Sequence, residues 1–448
     1  MSSPTANDKP GLRRALSLWD LVFYGIVLIQ PTAPMPLYGV VSQEARGHVV
    51  TTILVAMCAM MFTAISYGRM ARAYPSAGSA YTYVGKEIHS SLGFITGWSM
   101  AMDYIINPVI CTIWSSKAAA NIAPEVPYFV WAIFFATLFT VLNLRGIRAT
   151  ARINEILAAA MGVVILYFFA ATVRYIAHLG ALPSGFFTHP FYNPSTFSWG
   201  AISTGTSIAV LTYIGFDGIS TLSEEVKNPR RNILLATVLV CLITGVLATL
   251  EVYAAQLIWP DYRSYPDVDT AFVHVAGRVG GFVLLQVVNA TLLVATIGSG
   301  SGSQLAAARL LYGMGRDNTI PRGFFGVIEP KRRIPRNNVL FIGAISLVGA
   351  FLISYQAGAE LLNFGAFIAF MGVNAAAIVH YYVRQDEKKW GNLLPPLAGF
   401  LICFYIWLNL RTPAKVAGGI WLVIGAVYAA WKTNGFRRAI VFSEPPPE

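Results

Sequence analysis

The chain has 448 residues, 56% of them hydrophobic and only 12% charged, against roughly a quarter charged in an ordinary soluble protein, and its mean hydropathy is +0.58. These values exclude a soluble globular fold and point to a polytopic membrane protein. The formal net charge of +11 implies no nucleic-acid partner, because the basic residues lie in short clusters between apolar runs.

The polar start lacks the charged, apolar, small-residue order of a cleaved signal peptide, so residues 1–16 are expected to remain as a cytoplasmic segment. Apolar runs long enough to cross a hydrocarbon core as helices then recur. They fall at about 17–45, 48–72, 92–121, 127–144, 153–177 and 199–226, then 232–259, 280–314, 338–355, 359–384, 394–410 and 417–431. The expected fold class is therefore all-α with about twelve transmembrane helices and a lipid bilayer as partner. Two long hydrophilic interruptions, 261–278 and 315–337, are too short to be domains. With both termini inside, about 25 of the 32 basic residues face the cytoplasm. Arg46, Lys117, Arg174, Arg263, Arg278, Arg411 and Lys415 are left for the other side. The tail, 434–448, contains three consecutive prolines and is expected to be cytoplasmic and disordered.

Two spans carry helix breakers at matching places when the first ten helices are divided into two groups of five. In the first, Gln30-Pro31-Thr32-Ala33-Pro34-Met35-Pro36 puts three prolines into an apolar stretch, and each removes a backbone donor. In the sixth, Gly215-Phe216-Asp217-Gly218 sets an acid between glycines. Exposed backbone at membrane depth is tolerated only where protein or a water-filled cavity satisfies it, so the two breaks imply a shared cavity between inverted repeats. The expected organisation is a ten-helix core over 17–384, with repeats at about 17–177 and 199–384, followed by two further helices over 385–433.

Cys58, Cys111, Cys241 and Cys403 lie in apolar runs without CxxC spacing and read as small core residues. The six histidines show no metal spacing, and no nucleophile motif accompanies them. Neither metal, cofactor nor enzymatic activity is expected. Gly298-Ser299-Gly300-Ser301-Gly302-Ser303 lacks the ending of a phosphate loop and reads as close helix packing, with a hydroxyl lining of a Na⁺ or substrate site as the alternative.

Three motifs carry a resemblance. Tyr74-Pro75-Ser76-Ala77-Gly78-Ser79-Ala80-Tyr81-Thr82-Tyr83 is followed by Gly93-Phe94-Ile95-Thr96-Gly97-Trp98. Gly215 to Arg230 includes Ser223-Glu224-Glu225-Val226-Lys227-Asn228-Pro229, and Ala308-Arg309-Leu310-Leu311-Tyr312-Gly313-Met314-Gly315-Arg316-Asp317-Asn318 precedes Pro321. In this order they resemble the signatures of the amino acid, polyamine and organocation superfamily. Phe62-Thr63-Ala64-Ile65-Ser66-Tyr67-Gly68 and Asn363-Phe364-Gly365-Ala366 are most similar to its bacterial putrescine-importer branch. The resemblance implies the leucine-transporter-type fold with discontinuous helices one and six. It implies a substrate held at their breaks, with help from helices three, eight and ten.

The expected substrate site comprises Gln30, Pro31, Thr32, Ala33, Pro34, Met35, Tyr104, Tyr213, Gly215, Phe216, Asp217, Gly218, Ser299, Ser303 and Phe364. Half-helices beginning near Leu37 and Gly218 offer N–H groups to a carboxylate, and those ending near Ile29 and Ile214 offer carbonyls to an ammonium. Tyr104, Tyr213, Phe216 and Phe364 could form an aromatic wall for the ammonium. Asp217, an ionisable group at mid-membrane, is the leading candidate for substrate or proton work, against a structural cap; Asp103 is a candidate for proton coupling or a buried hydrogen bond. Met161 stands where some proton-coupled relatives carry a basic residue, and Leu234 replaces a usual proline.

The expected activity is proton-coupled secondary transport of a small amine or amino acid across a bacterial inner membrane. Na⁺ symport, exchange and putrescine import are alternatives, and a channel or sensor is a different class. With Asp103 the only other deep carboxylate that can be placed near the cavity, a single-ammonium ligand is expected over putrescine.

Overall fold

The computed structural model describes residues 14–435 apart from 124, 146, 267, 269 and 411. The polar start over 1–13 and the tail beyond 435 lie outside the described residues. The helices are α1 (Leu18–Ile29), α2 (Pro34–Glu44), α3 (Val49–Ala73), α4 (Ala80–Glu87), α5 (Ser90–Ile122), α6 (Tyr128–Leu144), α7 (Ile147–Ala177) and α8 (Trp199–Ala209). They continue as α9 (Pro229–Ile258), α10 (Ala271–Arg316), α11 (Arg322–Phe325), α12 (Arg336–Leu352), α13 (Tyr355–Ile378), α14 (Trp390–Leu408) and α15 (Thr412–Lys432). Two 3₁₀ segments, Val210–Tyr213 and Phe216–Glu225, follow α8, and a π turn, Val379–Val383, ends α13. Among the described residues the only extended pairings are isolated bridges, Leu16 with Val226 and Glu329 with Ile334.

Among the described residues seven helices are long and apolar enough to cross a membrane, or eight if the α1–α2 pair, bent by 51°, is counted as one broken span. α6 and α12 have 17 residues each and are shorter than the usual span of about 20. The outer faces are apolar, as lipid requires: Val163, Leu166 and Val173 on α7 and Ile420, Val423 and Val427 on α15 are all more than half exposed. Cys58 joins that surface, which corrects its reading as a core residue; the other three cysteines are buried. An apolar run does not reveal which of its faces meets lipid.

Other boundaries differ from expectation for local reasons. The second half of helix one begins at Pro34 rather than near Leu37. Proline lacks an N–H but fits the first helical turn, where that donor has no partner, so Pro34 and Pro36 start α2 instead of extending the break. α10 begins at Ala271, inside the expected hydrophilic interruption, and kinks at Gly281, whose φ of 64° and ψ of −161° suit glycine. The interruption after α10 contains the short α11 and the Glu329–Ile334 bridge.

α1 starts at a capping box, in which the Asp20 N–H donates to the Ser17 hydroxyl and the Ser17 N–H to the Asp20 carboxylate. At the core, α5 packs against α6, α10, α12 and α13, and α9 packs along α3 and α1. α1 and α9 are parallel, since Gly25 meets Val240 while Tyr38 and Ser42 beyond the break meet Gln256. Small residues allow the close contacts. A Cβ on Gly298 would come within 2.2 Å of Val27, and one on Gly300 within 2.6 Å of Phe139.

Candidate functional site

The break in helix one is a gap of four residues, 30–33, between α1 and α2. Gln30 turns the chain with φ 69°, and its N–H still donates to Ile26. Pro31 has no N–H to return to the Val27 carbonyl, and the Ser299 hydroxyl donates to Leu28 O at 3.0 Å. α1 thus ends in carbonyls that only a neighbouring helix or a ligand can satisfy. The start of α2 is the reverse of an anion site. Pro34 and Pro36 contribute no N–H, and the N–H groups of Ala33 and Met35 donate to Gln30 and Thr32 at 2.9 and 3.0 Å.

The break in helix six falls at Ile214 and Gly215. Gly215 has φ 128°, which L side chains avoid, and a Cβ on Gly218 would meet Leu28 at 2.4 Å. The two glycines therefore have different duties, one in backbone conformation and one in letting α1 approach. Asp217 is fully buried. Its carboxylate accepts the Gly215 N–H at 3.2 Å and the Tyr104 hydroxyl of α5, while the Gly218 N–H donates to Gly215 O at 3.0 Å. Donors at the opening of this half-helix are thus used within the protein, by the Asp217 carboxylate and the Gly215 carbonyl.

A cavity of about 150 Å³ lies beside both breaks, lined among others by Ile29, Gln30, Ala33 and Pro36 from helix one and Ile214 from helix six. α5 adds Asn107, Ile110 and Trp114, α10 adds Thr296 and Ser299, and α13 adds Leu362. Its size matches an engineered apolar cavity of about 150 Å³ that takes benzene. The lining contains no charged side chain. Asn107 stands one helical turn from Tyr104, so the Tyr104–Asp217 bond closes the floor.

Below that floor, toward the N-terminal end of α1, the molecule is sealed. Phe216 stacks on Phe370 at 5.3 Å and meets Tyr67 edge-on at 5.7 Å. Glu225 pairs with Arg309, both at most 1% exposed, and Glu224 accepts from Arg316 at 2.7 Å and from the Ala77 N–H at 3.0 Å. Backbone bonds from Ala15 and Leu16 to Glu225 and from Lys227 to Leu16 tie the chain before α1 to the exit of helix six.

Of the expected site residues, Gln30, Ala33 and Ser299 line the cavity. Tyr104, Gly215, Asp217 and Gly218 form its floor or the break beside it, while Pro31, Thr32, Pro34 and Met35 belong to the helix-one break without lining the cavity. The aromatic wall is not assembled. The Tyr213 hydroxyl donates to Ile53 O at 3.0 Å on α3, Phe216 lies under the floor, and Phe364 packs against Trp407 and Gly418. These rings fill gaps between helices that sequence spacing cannot locate. Ser303 is buried within α10 away from the lining, and Met161 packs against Val27 and Ala295. Asp103 is buried with one carboxylate oxygen unpartnered and lies within electrostatic reach of Asp217.

Sequence reasoning missed three features. The pairs between Glu224 or Glu225 and the arginines of α10 join two of the motifs, and that shared membership was the available signal. Tyr74, His380 and Arg384 converge on the buried Glu87. Glu251 sits alone in α9.

Comparison with known proteins gives the family. The family described as Amino acid permease matches residues 21–429. The chain is 34% identical over 441 residues to the low-affinity putrescine importer PlaP of Escherichia coli (strain K12), covering 96% of each protein. It is 28% identical to the branched-chain amino acid permease BcaP of Lactococcus lactis subsp. cremoris, over 93% of this chain and 94% of that one. It is 26% identical to a methylthioribose transporter of Bacillus subtilis, over 93% and 92%. All three relatives are named as an importer, a permease or a transporter, and each likeness covers more than nine-tenths of this chain. The chain belongs to the amino acid permease family, within the amino acid, polyamine and organocation superfamily, and is a multi-pass secondary transporter rather than an enzyme.

Proposed function

We propose that the protein takes up a small organic amine without a carboxylate, by proton-coupled alternating access across a bacterial inner membrane. The observation that carries this reading is the state of the donors at the two breaks. A carboxylate ligand needs free N–H groups at a half-helix start. At α2 two of them are replaced by proline, and at the helix-six break the Gly215 N–H is taken by Asp217 and the Gly218 N–H by the Gly215 carbonyl. What the breaks offer instead is carbonyl oxygens at the end of α1 and, one layer down, Asp217. Both suit an ammonium. The apolar remainder of the lining, Ile29, Ile110, Ile214 and Leu362, suits a short aliphatic tail. A single ammonium is therefore preferred to two, since a second one would be desolvated without a charged partner.

In this reading the seven long spans, the bent pair, α5, α6, α12 and the broken helix six make twelve crossings. Repeats cover about 17–177 and 199–384, with α14 and α15 added. The basic residues at the sealed end make that end cytoplasmic, with both termini there, so the cavity lies on the outer side of the breaks. Asp217 and Asp103 lie within electrostatic reach of one another, and two buried carboxyls that close disfavour a second negative charge, which favours a proton as the coupling ion.

The test is competition for uptake with matched pairs, isoamylamine against leucine and butylamine against putrescine. Isoamylamine and butylamine should win. Tighter competition by leucine would overturn the reading. The identity with a putrescine importer favours a second reading, putrescine import with Asp103 as the further carboxylate. Putrescine at least tenfold tighter than butylamine, about 1.4 kcal/mol, would select it.

A further inference from the structure

Glu251 is a buried ionisable group that the reading above leaves idle. It is fully buried, and neither carboxylate oxygen has a hydrogen-bond or ionic partner among the described residues. An ionisable side chain at membrane depth is costly to keep and marks a functional site by default.

Its position follows from helix register. α1–α2 runs parallel to α9, with Gly25 beside Val240 and Ser42 bonded to Gln256 at 3.2 Å. Glu251, five residues before Gln256, is thus level with the first turn of α2, immediately beyond the 51° bend. α3 runs antiparallel, with Gly68 against Leu234 and Met57 against Gly245, which brings its Thr51–Thr52 turn to the same level. Thr32, inside the break, has a buried hydroxyl that is also without a partner.

Titratable groups on the elements around α9 are engaged elsewhere, apart from Tyr67 of α3, whose hydroxyl is also unpartnered but which lies level with the start of α9, where Gly68 meets Leu234. Tyr24 of α1 donates to Gly302, and Tyr38 of α2 to Gln256. His48 of α3 contacts Ala45 O and accepts from the Asn193 N–H. Tyr213 donates to Ile53, Asp217 accepts from Tyr104, and Arg309 of α10 pairs with Glu225. On α7, Tyr175 accepts from Arg278 of α10. None of these groups bonds to either carboxylate oxygen of Glu251.

A negative charge in this setting has neither a cation nor a donor to compensate it. Among the described residues, however, the side-chain hydrogen bonds that tie α2 to α9 and the following loop are neutral ones, of Tyr38, Ser42, Gln256 and Tyr265, and α2 meets α1 at a bend. We propose that Glu251 is a proton-binding site distinct from Asp217, occupied by a proton while α2 lies against α9 and emptied when α2 swings away and admits water. The site follows from α2 and α9 alone and stands independently of which solute is carried.

The test uses the purified full-length protein in lipid vesicles and two probes, protons and dicyclohexylcarbodiimide, which modifies protonated carboxyls in apolar surroundings. Labelling of Glu251, located by peptide mass spectrometry, should fall about tenfold from acidic to alkaline pH. Titration of Glu251→Gln should count one proton fewer than wild type. In the Ser42→Cys/Gln256→Cys double variant, oxidation should pin α2 to α9 and keep Glu251 labelled at alkaline pH, and reduction should restore the fall. Labelling independent of pH in wild type, or an oxidised double variant with the wild-type profile, would overturn the proposal. Because no solute is present, a negative result leaves the amine reading standing, and a failed competition series leaves Glu251 standing. The wild-type labelling decides the matter even if Glu251→Gln does not fold.

Discussion

The two helix breaks serve the same cavity but are built from opposite chemistry. The break in helix one is made by prolines, carries no charge, and leads into α2, whose side-chain ties at its far end are neutral hydrogen bonds. The break in helix six is made by glycines, is capped by a carboxylate, and continues into a segment fixed by two ion pairs to α10. Prolines remove hydrogen bonds without supplying replacements, so the first break is free to bend. Glycine and aspartate supply a conformation and an acceptor, so the second is organised. Of the two half-helices beside the cavity, α2 is the one expected to move and Phe216–Glu225 the one expected to stay.

The largest expected effect lies at the fixed half. Arg309→Ala leaves Glu225 buried without its partner, and breaking a buried pair in this way costs about 3–5 kcal/mol. A steep loss of thermal stability in detergent should result. A variant as stable as wild type would show that the helix-six segment is not anchored by charge. Asp217→Asn should come next, abolishing accumulative uptake with folding largely intact, because Asn keeps the shape and one acceptor but removes the charge and can accept only one of the Gly215 N–H and Tyr104 hydroxyl bonds. If Asp217 holds the ammonium, binding is lost too. If it only relays a proton, counterflow exchange persists without accumulation. Wild-type accumulation would reject both roles.

A smaller pair of changes separates conformation from contact within one break. Gly215→Ala forces a side chain onto φ 128°, a strain of about 1–3 kcal/mol. Gly218→Ala meets only the far end of the Leu28 side chain, which can shift. The first should lower thermal stability more than the second. The reverse order would mean that α1 cannot retreat from helix six, and the assignment of the mobile half to helix one would lose its support.

Legibility in the sequence divided along the same line. Pro31 and the Gly215 to Gly218 stretch announced both breaks, because a missing N–H or Cβ acts on the backbone where it stands. The start of α2 was misread, since proline breaks a helix interior but fits a first turn, and composition alone does not say which turn it occupies. Asp217 stood out beside its glycines. Glu251 did not, because a lone acid in an apolar run does not show whether it meets a partner. The Glu225–Arg309 pair spans 84 positions and becomes visible only when α10 is packed on helix six. Tyr213 is expected at the cavity from its place beside the break and Phe364 as part of an aromatic wall, yet helix rotation turns them toward α3 and α15.

The smallest expected effect is also the most direct test of why the two breaks differ. Pro36 lines the cavity in the first turn of α2. Its replacement by alanine returns one N–H at a position where helix geometry leaves donors unpaired, without disturbing the bend, which rests on Pro31 and on residues 30–33. A carboxylate ligand would then gain one hydrogen bond to a charged group, about 1.5 kcal/mol or roughly tenfold in affinity. An amine would gain nothing, since an ammonium cannot accept that bond. In Pro36→Ala the competition of leucine relative to isoamylamine should therefore tighten by about tenfold, with uptake of the amine itself nearly unchanged. An unaltered ratio would mean that proline does not exclude carboxylates here, and that selectivity is set at the Asp217 floor alone.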